Sequence, residues 1–471
     1  MVDKTNIDDQ LTFKFKNGWN CIDDSTHDEV FKFSEEYKDF LDKGKTEREC
    51  TKEIIKRVKK NGYKDIELFI NGEEKIVPGA KIYANNKEKS VVLFVIGAED
   101  IERGMKVVAA HIDSPRLDLK AFPLYEDGGL ALLKTHYYGG IKKYQWTAIP
   151  LAFHGVVMTK NGEKIEIVVG EDENDPVFYI TDLLPHLAKN QQDKKLSEGI
   201  SGEGLNILTG NIPCKNEDIK DPVKYNILKL LKDKYAIEEK DFLTAEIEVV
   251  PAIKAKDVGL DRSMIGAYGQ DDRVCAYTAL KAILEISNPK NTAVTILVDK
   301  EEIGSVGNTG MQSRFFENLV AELIALQSEQ FSDLKVRRAL ANSKVLSADV
   351  GCGFDPNYPD VVDKRNVAYI GKGVLVSKYT GARGKSGSND ANVEFVYEVG
   401  KIFDENNVVW QVGELGKVDQ GGGGTIAYIL ANYGAEVIDC GVPLLSMHAP
   451  AEISSKIDIY MTYKAYKAFF K

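Results

Sequence analysis

Two adjacent glutamates, Glu301 and Glu302, interrupt an apolar stretch in VTILVDKEEIGSVGNTG, residues 294–310. The β-branched run before them is typical of a buried strand, and the glycines after them are typical of a loop. Neighbouring carboxylates repel each other and are costly to remove from water. A solvated turn is one interpretation of the pair. The other is a site where a metal ion or a proton offsets the negative charge.

His111 and Asp113 form a second candidate pair, in the segment MKVVAAHIDSPRLD. His111 ends an apolar run, and residues two apart on an extended chain point to the same side. Asp113 can therefore accept a hydrogen bond from one imidazole nitrogen while the other nitrogen faces a metal ion. A single His-x-Asp pattern is common, so on its own it does not establish a metal site.

Three further segments place a carboxylate or an imidazole near the end of an apolar run. Asp271 stands beside Asp272 in AYGQDDRVCAYTAL, at a loop-to-helix junction where a helix-capping pair is the alternative interpretation. Asp349 closes KVLSAD, and His448 follows PLLSM. Ligands of open α/β sheets bind at the carboxyl ends of the strands. Together the five segments supply two imidazoles and several carboxylates, which is the ligand set of a two-zinc hydrolase.

From residue 270 onward, helical and strand patterns alternate, which predicts a mainly parallel sheet covered by helices on both faces. The predicted elements are helix 272–286, strand 292–298, helix 314–330, strands 344–350 and 373–378, helix 390–403, strand 407–411, helix 424–433, strand 436–440 and a last helix from about 455. Earlier, Thr46 and Glu49 predict a capping box for a helix that reaches about residue 61. Buried strands are expected at 90–97 and 105–112.

Strand-like patterns predominate in residues 117–252. Examples are the segments LAFHGVVM, EKIEIVVG, VFYIT and FLTAEIEVV, which are separated by acidic or glycine-containing turns. The polar stretch 189–204 is expected to be an exposed loop. A chain of 471 residues is also too long for one ordinary core. We therefore predict an α/β fold with a mixed, mostly parallel sheet sandwiched by helices, formed by 1–116 plus 253–471 and interrupted by an inserted β-rich domain at 117–252.

The composition fits a globular protein, with 43% hydrophobic and 28% charged residues. The net charge of −11 is spread along the chain without a basic stripe, which argues against nucleic acid as a partner. The start MVDKTNIDDQ is polar, unlike a secretory signal, and apolar runs such as VVLFVIGA are shorter than a membrane span. Six scattered cysteines without a CxxC pattern fit reduced thiols, so a cytoplasmic location is expected.

Five motifs, taken in order, resemble those of the aspartyl-aminopeptidase-type metallopeptidases, a branch of the co-catalytic two-zinc aminopeptidases. They are HIDSPRLDLK, GQDDRVCAYTAL, DKEEIGS, SADV and LLSMHAPAE. The stretches YGGIKKYQW, LLPHLAKN, VLVSK and GGGGTIAYIL also match, so the similarity runs over nearly the full chain. The resemblance implies a zinc-aminopeptidase-like α/β domain with a β-rich insert used for subunit contact. It also implies a homo-oligomer, which in relatives is a tetrahedral dodecamer.

The same resemblance assigns roles to individual residues. Two Zn²⁺ ions are implied, with Mn²⁺ or Co²⁺ as substitutes. The implied ligands are His111, Asp271 and Asp349 for one ion, and Asp271, Glu302 and His448 for the other. Glu301 is implied as the general base that helps to remove a single N-terminal residue from a peptide with a free amine. In this assignment Glu302 binds a metal ion while Glu301 transfers a proton. The adjacent glutamates therefore have separate roles, which explains why both are present.

Further residues receive supporting roles from the resemblance. Asp113 is implied in the catalytic set because it orients His111. His186 matches a histidine that reaches a neighbouring subunit's site to stabilise an oxyanion, with a purely structural histidine as the alternative. Lys378, Gly424 and Thr425 are expected to bind substrate. Glycines before a helix let backbone N–H groups approach a ligand, and a flexible connector is the alternative interpretation of that run.

Several departures from the family pattern lie near the expected substrate pocket. Relatives specific for acidic N-termini usually carry a histidine soon after the aspartate of SADV, whereas this chain has SADVGCGFDPNY. The segment before the glycine run is GKVDQ in this chain, whereas relatives more commonly have an arginine-containing segment there. The preferred N-terminal residue therefore stays open. Two alternatives also remain: a two-metal deacylase or carboxypeptidase of the same clan, and a catalytically silent self-assembling scaffold.

Overall fold

The structure, a computed structural model, describes residues 11–216, 218–328 and 330–471. The polar N-terminal stretch MVDKTNIDDQ lies outside these described residues. Within them the strands form three sheets, of nine, six and five strands. The nine-stranded sheet contains His111, and several other predicted site residues follow shortly after its strands.

The nine-stranded sheet is mixed, and five of its eight neighbouring strand pairs are parallel. In order across the sheet its strands are Lys64–Asp65, Lys81–Asn86, Ser90–Val95, Ala293–Val298, Lys106–His111, Lys344–Ser347, Glu436–Gly441, Val374–Ser377 and Trp410–Val412. Ala293–Val298 is buried along its whole length, as a strand covered on both faces must be. The predicted mixed, mostly parallel sheet is confirmed.

Helices cover both faces of this sheet. In the strand Ser90–Val95, Leu93 enters one apolar cluster whereas Val92 enters the other. This alternation follows from the side-chain period of two in a strand. The helices of the first cluster are Asp24–Lys43, Glu47–Lys60, Gln270–Leu284, Val393–Glu405 and Lys456–Phe470. The helices of the second cluster are Ile66–Ile70, Phe315–Gln327, Asp333–Ala341 and Ala427–Ala431.

The six-stranded sheet is antiparallel throughout and lies within residues 116–251. In order its strands are Lys164–Val169, Leu151–Met158, Ala245–Pro251, Arg116–Asp127, Leu130–Tyr138 and Ile207–Gly210. A separate apolar cluster, which includes Trp146 and Val249, packs here with the helix Pro222–Tyr235. The sheet has the β-rich character expected of the insert, and the domain boundaries stay a prediction.

Sequence patterns do not predict the five-stranded sheet, because its strands are only two to four residues long. They are, in order, Lys256–Val258, Met264–Ala267, Glu452–Ser455, Pro443–Leu445 and Gly351–Cys352. Two of these strands adjoin candidate ligands, since Gly351–Cys352 follows Asp349 and Pro443–Leu445 precedes His448. This small sheet therefore helps to position the site.

Local differences from the expected elements have local causes. The helix expected at 424–433 spans only Ala427–Ala431, because the glycine run before it is not helical and includes Gly422 with φ of 119°. The segment VFYIT, residues 177–181, was expected to be a strand, but it makes only isolated β-bridges, at Phe178 and Tyr179. The stretch expected as a loop contains the short helices Lys189–Gln192 and Leu196–Gly199.

The helix Glu47–Lys60 begins with the predicted capping box and contacts the six-stranded sheet through Glu49. Glu49 Oε1 lies 2.7 Å from His154 Nδ1, and His154 Nε2 lies 3.1 Å from Glu171 Oε1. Burial lowers the pKa of His154, but hydrogen bonds to the two glutamates outweigh it and raise that pKa above its usual value. Burial raises the pKa of Glu171, yet His154 and a nearby lysine bring it down to about 2.

Replacing His154 with glutamine is expected to reduce the free energy of unfolding by about 1–3 kcal/mol, because the partly buried carboxylates of Glu49 and Glu171 both lose a charged hydrogen-bond partner. A raised histidine pKa stabilises the fold fully below the unfolded-state pKa of about 6.5, and the contribution is lost as the pH rises through the folded-state pKa. The deficit of the variant should therefore be largest near pH 6 and shrink as the pH rises further, as measured by the thermal unfolding midpoint. The same change at exposed His136 is the control, and an equal deficit at every pH would refute the assignment.

Candidate metal centre and active-site cavity

The predicted site residues gather at the carboxyl ends of the central parallel strands. His111 is the last residue of Lys106–His111, where it pairs with Val298 of the neighbouring strand. Asp349 lies two residues beyond Lys344–Ser347, the parallel strand on the other side. Parallel strands that end together bring the following side chains to one edge, which is the ligand-binding edge of open α/β folds.

Asp271 lies between the two predicted histidine ligands. Its Oδ1 is 3.2 Å from His111 Nε2, and its Oδ2 is 3.2 Å from His448 Nε2. The Asp271 side chain is only 4% exposed, and His448 Nε2 also lies 3.6 Å from Glu302 Oε1. One carboxylate thus faces both imidazoles with different oxygens, as a ligand shared by two metal ions must.

Candidate ligand atoms that lie within 4.8 Å of one another form three compact groups among the described residues. The groups are Asp271, Glu302 and His448; His111, Asp272 and Asp349; and His111, Glu301 and Glu302. The first is one of the two predicted ligand sets. The second contains two members of the other set, with Asp272 in the place expected for Asp271. The structure brings all five predicted ligands and Glu301 together.

Asp272 is a site residue that the sequence patterns did not single out as a ligand. Its Oδ2 accepts a hydrogen bond from the His111 backbone N–H at 3.3 Å, and its Oδ1 is buried without a hydrogen-bond partner. The helix Gln270–Leu284 begins after Gly269, and Asp271 and Asp272 at its start have non-helical backbone angles, so the capping interpretation of the aspartate pair stays a hypothesis. The adjacent aspartates in the sequence did indicate a possible ligand. Their spacing alone does not show whether Asp271, Asp272 or both would bind the metal.

The donor set fits zinc. Imidazole nitrogens and carboxylate oxygens are among the protein ligands of this ion. Among the described residues, Glu302 Oε1 and Asp272 Oδ1 are buried and have no hydrogen-bond partner. Buried carboxylate oxygens left without a partner are costly, and a cation satisfies them. The residues present therefore suit a metal centre.

The site holds more acidic groups than its two imidazoles neutralise. Burial, together with the charges of Asp113 and Asp271, raises the pKa of Glu301 to about 7. Burial also raises the pKa of Glu302 well above its usual value. Burial lowers the pKa of His448, but its hydrogen bond with Asp271 outweighs this and raises that pKa to about 10. A divalent cation relieves such an imbalance.

Asp113 holds the turn that carries both glutamates. Its Oδ1 accepts the backbone N–H of Glu301 at 3.1 Å, and its Oδ2 accepts that of Glu302 at 3.2 Å. His111 Nδ1 lies 3.0 Å from the Asp113 carbonyl oxygen and 3.3 Å from Asp113 Oδ1. The contact expected from their spacing is present, and it leaves His111 Nε2 facing Asp271.

A cavity of about 500 Å³ opens over these residues. Its wall includes Gly424, the last glycine of the run, and Thr425, which precedes the short helix Ala427–Ala431. The Thr425 hydroxyl donates a 2.6 Å hydrogen bond to Asp439 Oδ1, which fixes this part of the wall. A side chain at position 424 would meet open space, so the backbone is accessible there.

Besides the buried Asp113, two predicted residues lie outside the cavity wall. Lys378 follows the strand Val374–Ser377, and its ammonium group forms an ion pair with Asp390. His186 lies in the turn Pro185–Leu187, and its side chain is exposed. Neither residue is among those of the described chain that line the cavity.

The sheet, the ligands at its strand ends and the cavity define a zinc-aminopeptidase-like α/β protein, a class of metal-dependent hydrolases. Residues 40–470 match the family described as aminopeptidase I zinc metalloprotease (M18). The chain therefore belongs to the M18 family, and it is a zinc-dependent aminopeptidase. The family resemblance of the five motifs is confirmed.

Relatives in this family cover almost the whole chain. A probable M18 family aminopeptidase 1 from Clostridium acetobutylicum is 57% identical over 459 residues, 98% of each chain. The crystal structure of an M18 aminopeptidase from Thermotoga maritima has a TM-score of 0.93 at 48% identity, and the match covers 98% of this chain and 100% of that one. The structure of aminopeptidase I from C. acetobutylicum has a TM-score of 0.91 at 54% identity, with the same coverage.

Replacing His448 with alanine is expected to lower zinc binding, because it removes the imidazole from the group with Asp271 and Glu302. After dialysis against zinc-containing buffer, elemental analysis should find about two zinc ions per unmodified chain and about one per variant chain. The same change at exposed His136 should keep the zinc content of the unmodified protein. Equal zinc content in all three proteins would exclude His448 as a ligand.

Proposed function

We propose that the chain removes single N-terminal residues from peptides with two zinc ions that share Asp271. The proposed ligands are His111, Asp271 and Asp349 for one ion, and Asp271, Glu302 and His448 for the other. The observation that carries the proposal is the approach of the two Asp271 oxygens to two imidazoles, each at 3.2 Å. Bound zinc lowers the pKa of a water from about 15.7 to roughly 7 and polarises a carbonyl. Mn²⁺ and Co²⁺ are proposed substitutes because they accept the same donors.

Glu301 is proposed to take the proton of the attacking water and later to give it to the leaving amine. Its side chain lines the cavity, and its Oε2 lies 3.9 Å from His111 Nε2. It therefore sits beside the proposed ligands without belonging to either set. Asp113 supports this role because it holds the backbone of both Glu301 and Glu302.

Gly424 and Thr425 are proposed to contact the substrate, since both lie at the cavity wall. Lys378 is proposed to meet substrate only at the rim, because its ammonium group is already paired with Asp390. His186 is proposed to act in the site of a neighbouring subunit, which its exposed position on the insert permits.

The catalytic domain is proposed to comprise residues 1–116 plus 253–471, and the insert at 117–252 is proposed to join subunits into a homo-oligomer. A tetrahedral dodecamer is the expected form. Support comes from the structure of an S. cerevisiae mApe1 dodecamer, which shares the fold with a TM-score of 0.75 at 21% identity. Leu184 and Leu187, on either side of His186, are also 50% and 67% exposed. No helix in the described part of the chain is long and apolar enough to cross a membrane, and a cytoplasmic location stays a prediction.

The cavity wall favours an uncharged or basic N-terminal residue over an acidic one. None of the described residues that line the cavity is lysine or arginine. Glu414 and Asp439 add carboxyl groups to the wall beyond the proposed ligands. An acidic substrate side chain would therefore meet these two carboxyl groups with no lysine or arginine of the wall beside it.

Replacing Glu301 with glutamine should retain zinc but lower kcat by about 10²–10⁴-fold, because the amide keeps the shape and does not accept the proton. Hydrolysis of an aminoacyl amide and the zinc content are to be measured on the same samples. The matched control is Glu322→Gln, on an exposed position of the helix Phe315–Gln327, which should keep full activity. A Glu301→Gln protein that still turns over normally would disprove the proton-transfer role.

A panel of aminoacyl fluorogenic amides, assayed with Zn²⁺, Mn²⁺ and Co²⁺, tests the substrate class. We expect kcat/KM for leucyl and lysyl amides to exceed that for the aspartyl amide by about tenfold or more, as one unfavourable charge contact of about 1.4 kcal/mol implies. An N-acetylated amide should not be cut, which separates an aminopeptidase from a deacylase. Preferential cleavage of aspartyl or glutamyl amides would contradict the inferred preference.

A further inference from the structure

We propose that Tyr138, Gly139 and Gly140, which belong to the β-rich insert, position the ligands of the proposed metal centre. Tyr138 is the positioning residue, and it acts through Asp113. The proposal rests on the proposed two-metal function and gives the insert a task beside subunit contact. The three residues stand at the end of the strand Leu130–Tyr138.

Sheet register brings Tyr138 to the metal centre. Tyr138 pairs with Arg116, the first residue of the strand Arg116–Asp127, and this strand begins shortly after His111 and Asp113. The Tyr138 hydroxyl donates a 2.8 Å hydrogen bond to Asp113 Oδ2. Because backbone pairing fixes where Tyr138 lies, its contact with Asp113 does not depend on a flexible loop.

Asp113 is the residue through which the Tyr138 contact reaches the ligands. Its side chain is fully buried, and its oxygens accept the backbone N–H groups of Glu301 at 3.1 Å and Glu302 at 3.2 Å. His111 Nδ1 lies 3.3 Å from Asp113 Oδ1. The Asp113 carboxylate orients the His111 ring and the backbone of Glu302, so it must itself be held in place. The hydrogen bond from the Tyr138 hydroxyl holds its Oδ2.

The two glycines contact the other proposed ligand set. The Gly140 carbonyl accepts a 2.8 Å hydrogen bond from His448 Nδ1, which leaves His448 Nε2 facing Asp271. Gly139 has φ of 73°, and a Cβ at this position would lie 3.2 Å from Glu302 Oε2. A side chain at position 139 would therefore strain the backbone and press on a proposed ligand.

Arg116 holds the Tyr138 ring in this position. Its guanidinium carbon lies 3.8 Å from the ring centroid, and its Nε lies 2.8 Å from Asp118 Oδ1 and 3.2 Å from Glu248 Oε2. Arg116 is itself buried, at 6% exposure. The ring thus has a fixed cation on one face and Asp113 at its hydroxyl, so its orientation is set from the side of the insert.

The variant Tyr138→Phe tests the proposal because it removes only the hydroxyl. We expect zinc affinity, measured by competition with a chromophoric chelator, to fall by about 10–100-fold. In zinc-saturated protein kcat should fall while KM stays unchanged, because the cavity wall is intact. Tyr137→Phe is the matched control, since Tyr137 lies on the same strand and is 44% exposed, and it should keep the zinc affinity of the unmodified protein.

A double-mutant cycle with Asp113→Asn separates positioning from general packing. If Tyr138 acts through Asp113, adding Tyr138→Phe to Asp113→Asn should cause little further loss of zinc affinity. Additive losses, zinc affinity unchanged in Tyr138→Phe, or a loss accompanied by disrupted secondary structure in circular dichroism would overturn the positioning role. An unmodified protein that neither binds zinc nor cleaves aminoacyl amides would overturn the proposed function, and this inference with it.

Discussion

Concentrated negative charge at one buried edge of a sheet is the constraint on which the rest of this structure depends. The acidic side chains gathered there are Asp113, Asp271, Asp272, Glu301, Glu302 and Asp349, and the imidazoles of His111 and His448 stand among them. Burial raises the pKa of Glu302 and Asp349, so the site draws in positive charge. A zinc-dependent aminopeptidase supplies that charge as metal, which explains why such an unfavourable cluster is retained.

The fold meets this constraint with contacts from several directions. Parallel strands position His111 and Asp349, and the five-stranded sheet connects Asp271 with His448. Glu452, in that sheet, accepts the backbone N–H of Asp271 at 3.0 Å and that of His448 at 2.7 Å. The strand Leu130–Tyr138 and the two glycines after it add contacts to Asp113 and His448. Ligands from distant parts of the chain are thus held before any metal binds, which is the preorganisation a catalytic centre requires.

The features that could be predicted from the sequence are those that depend on local residue patterns, such as strand ends and the order of helices and strands. His111 follows a β-branched run and Asp349 closes another, so their place at the strand ends was predictable. The alternation of helices and strands likewise predicts the mixed sheet. Asp272 was not predicted because its role depends on non-helical backbone angles inside a helical segment. Two contacts depend on the tertiary fold, and neither periodicity nor a motif predicts them. They are the ion pair of Lys378 with Asp390 and the hydrogen bond of Tyr138 with Asp113.

Anomalous diffraction at the zinc edge, from crystals grown with zinc, would show directly whether two metal ions share Asp271. We expect two peaks per chain, separated by about 3.5–4 Å, with Asp271 between them, one beside His111 and the other beside His448. A single peak, or peaks remote from these three side chains, would contradict the shared two-metal centre and with it the explanation of the buried charge.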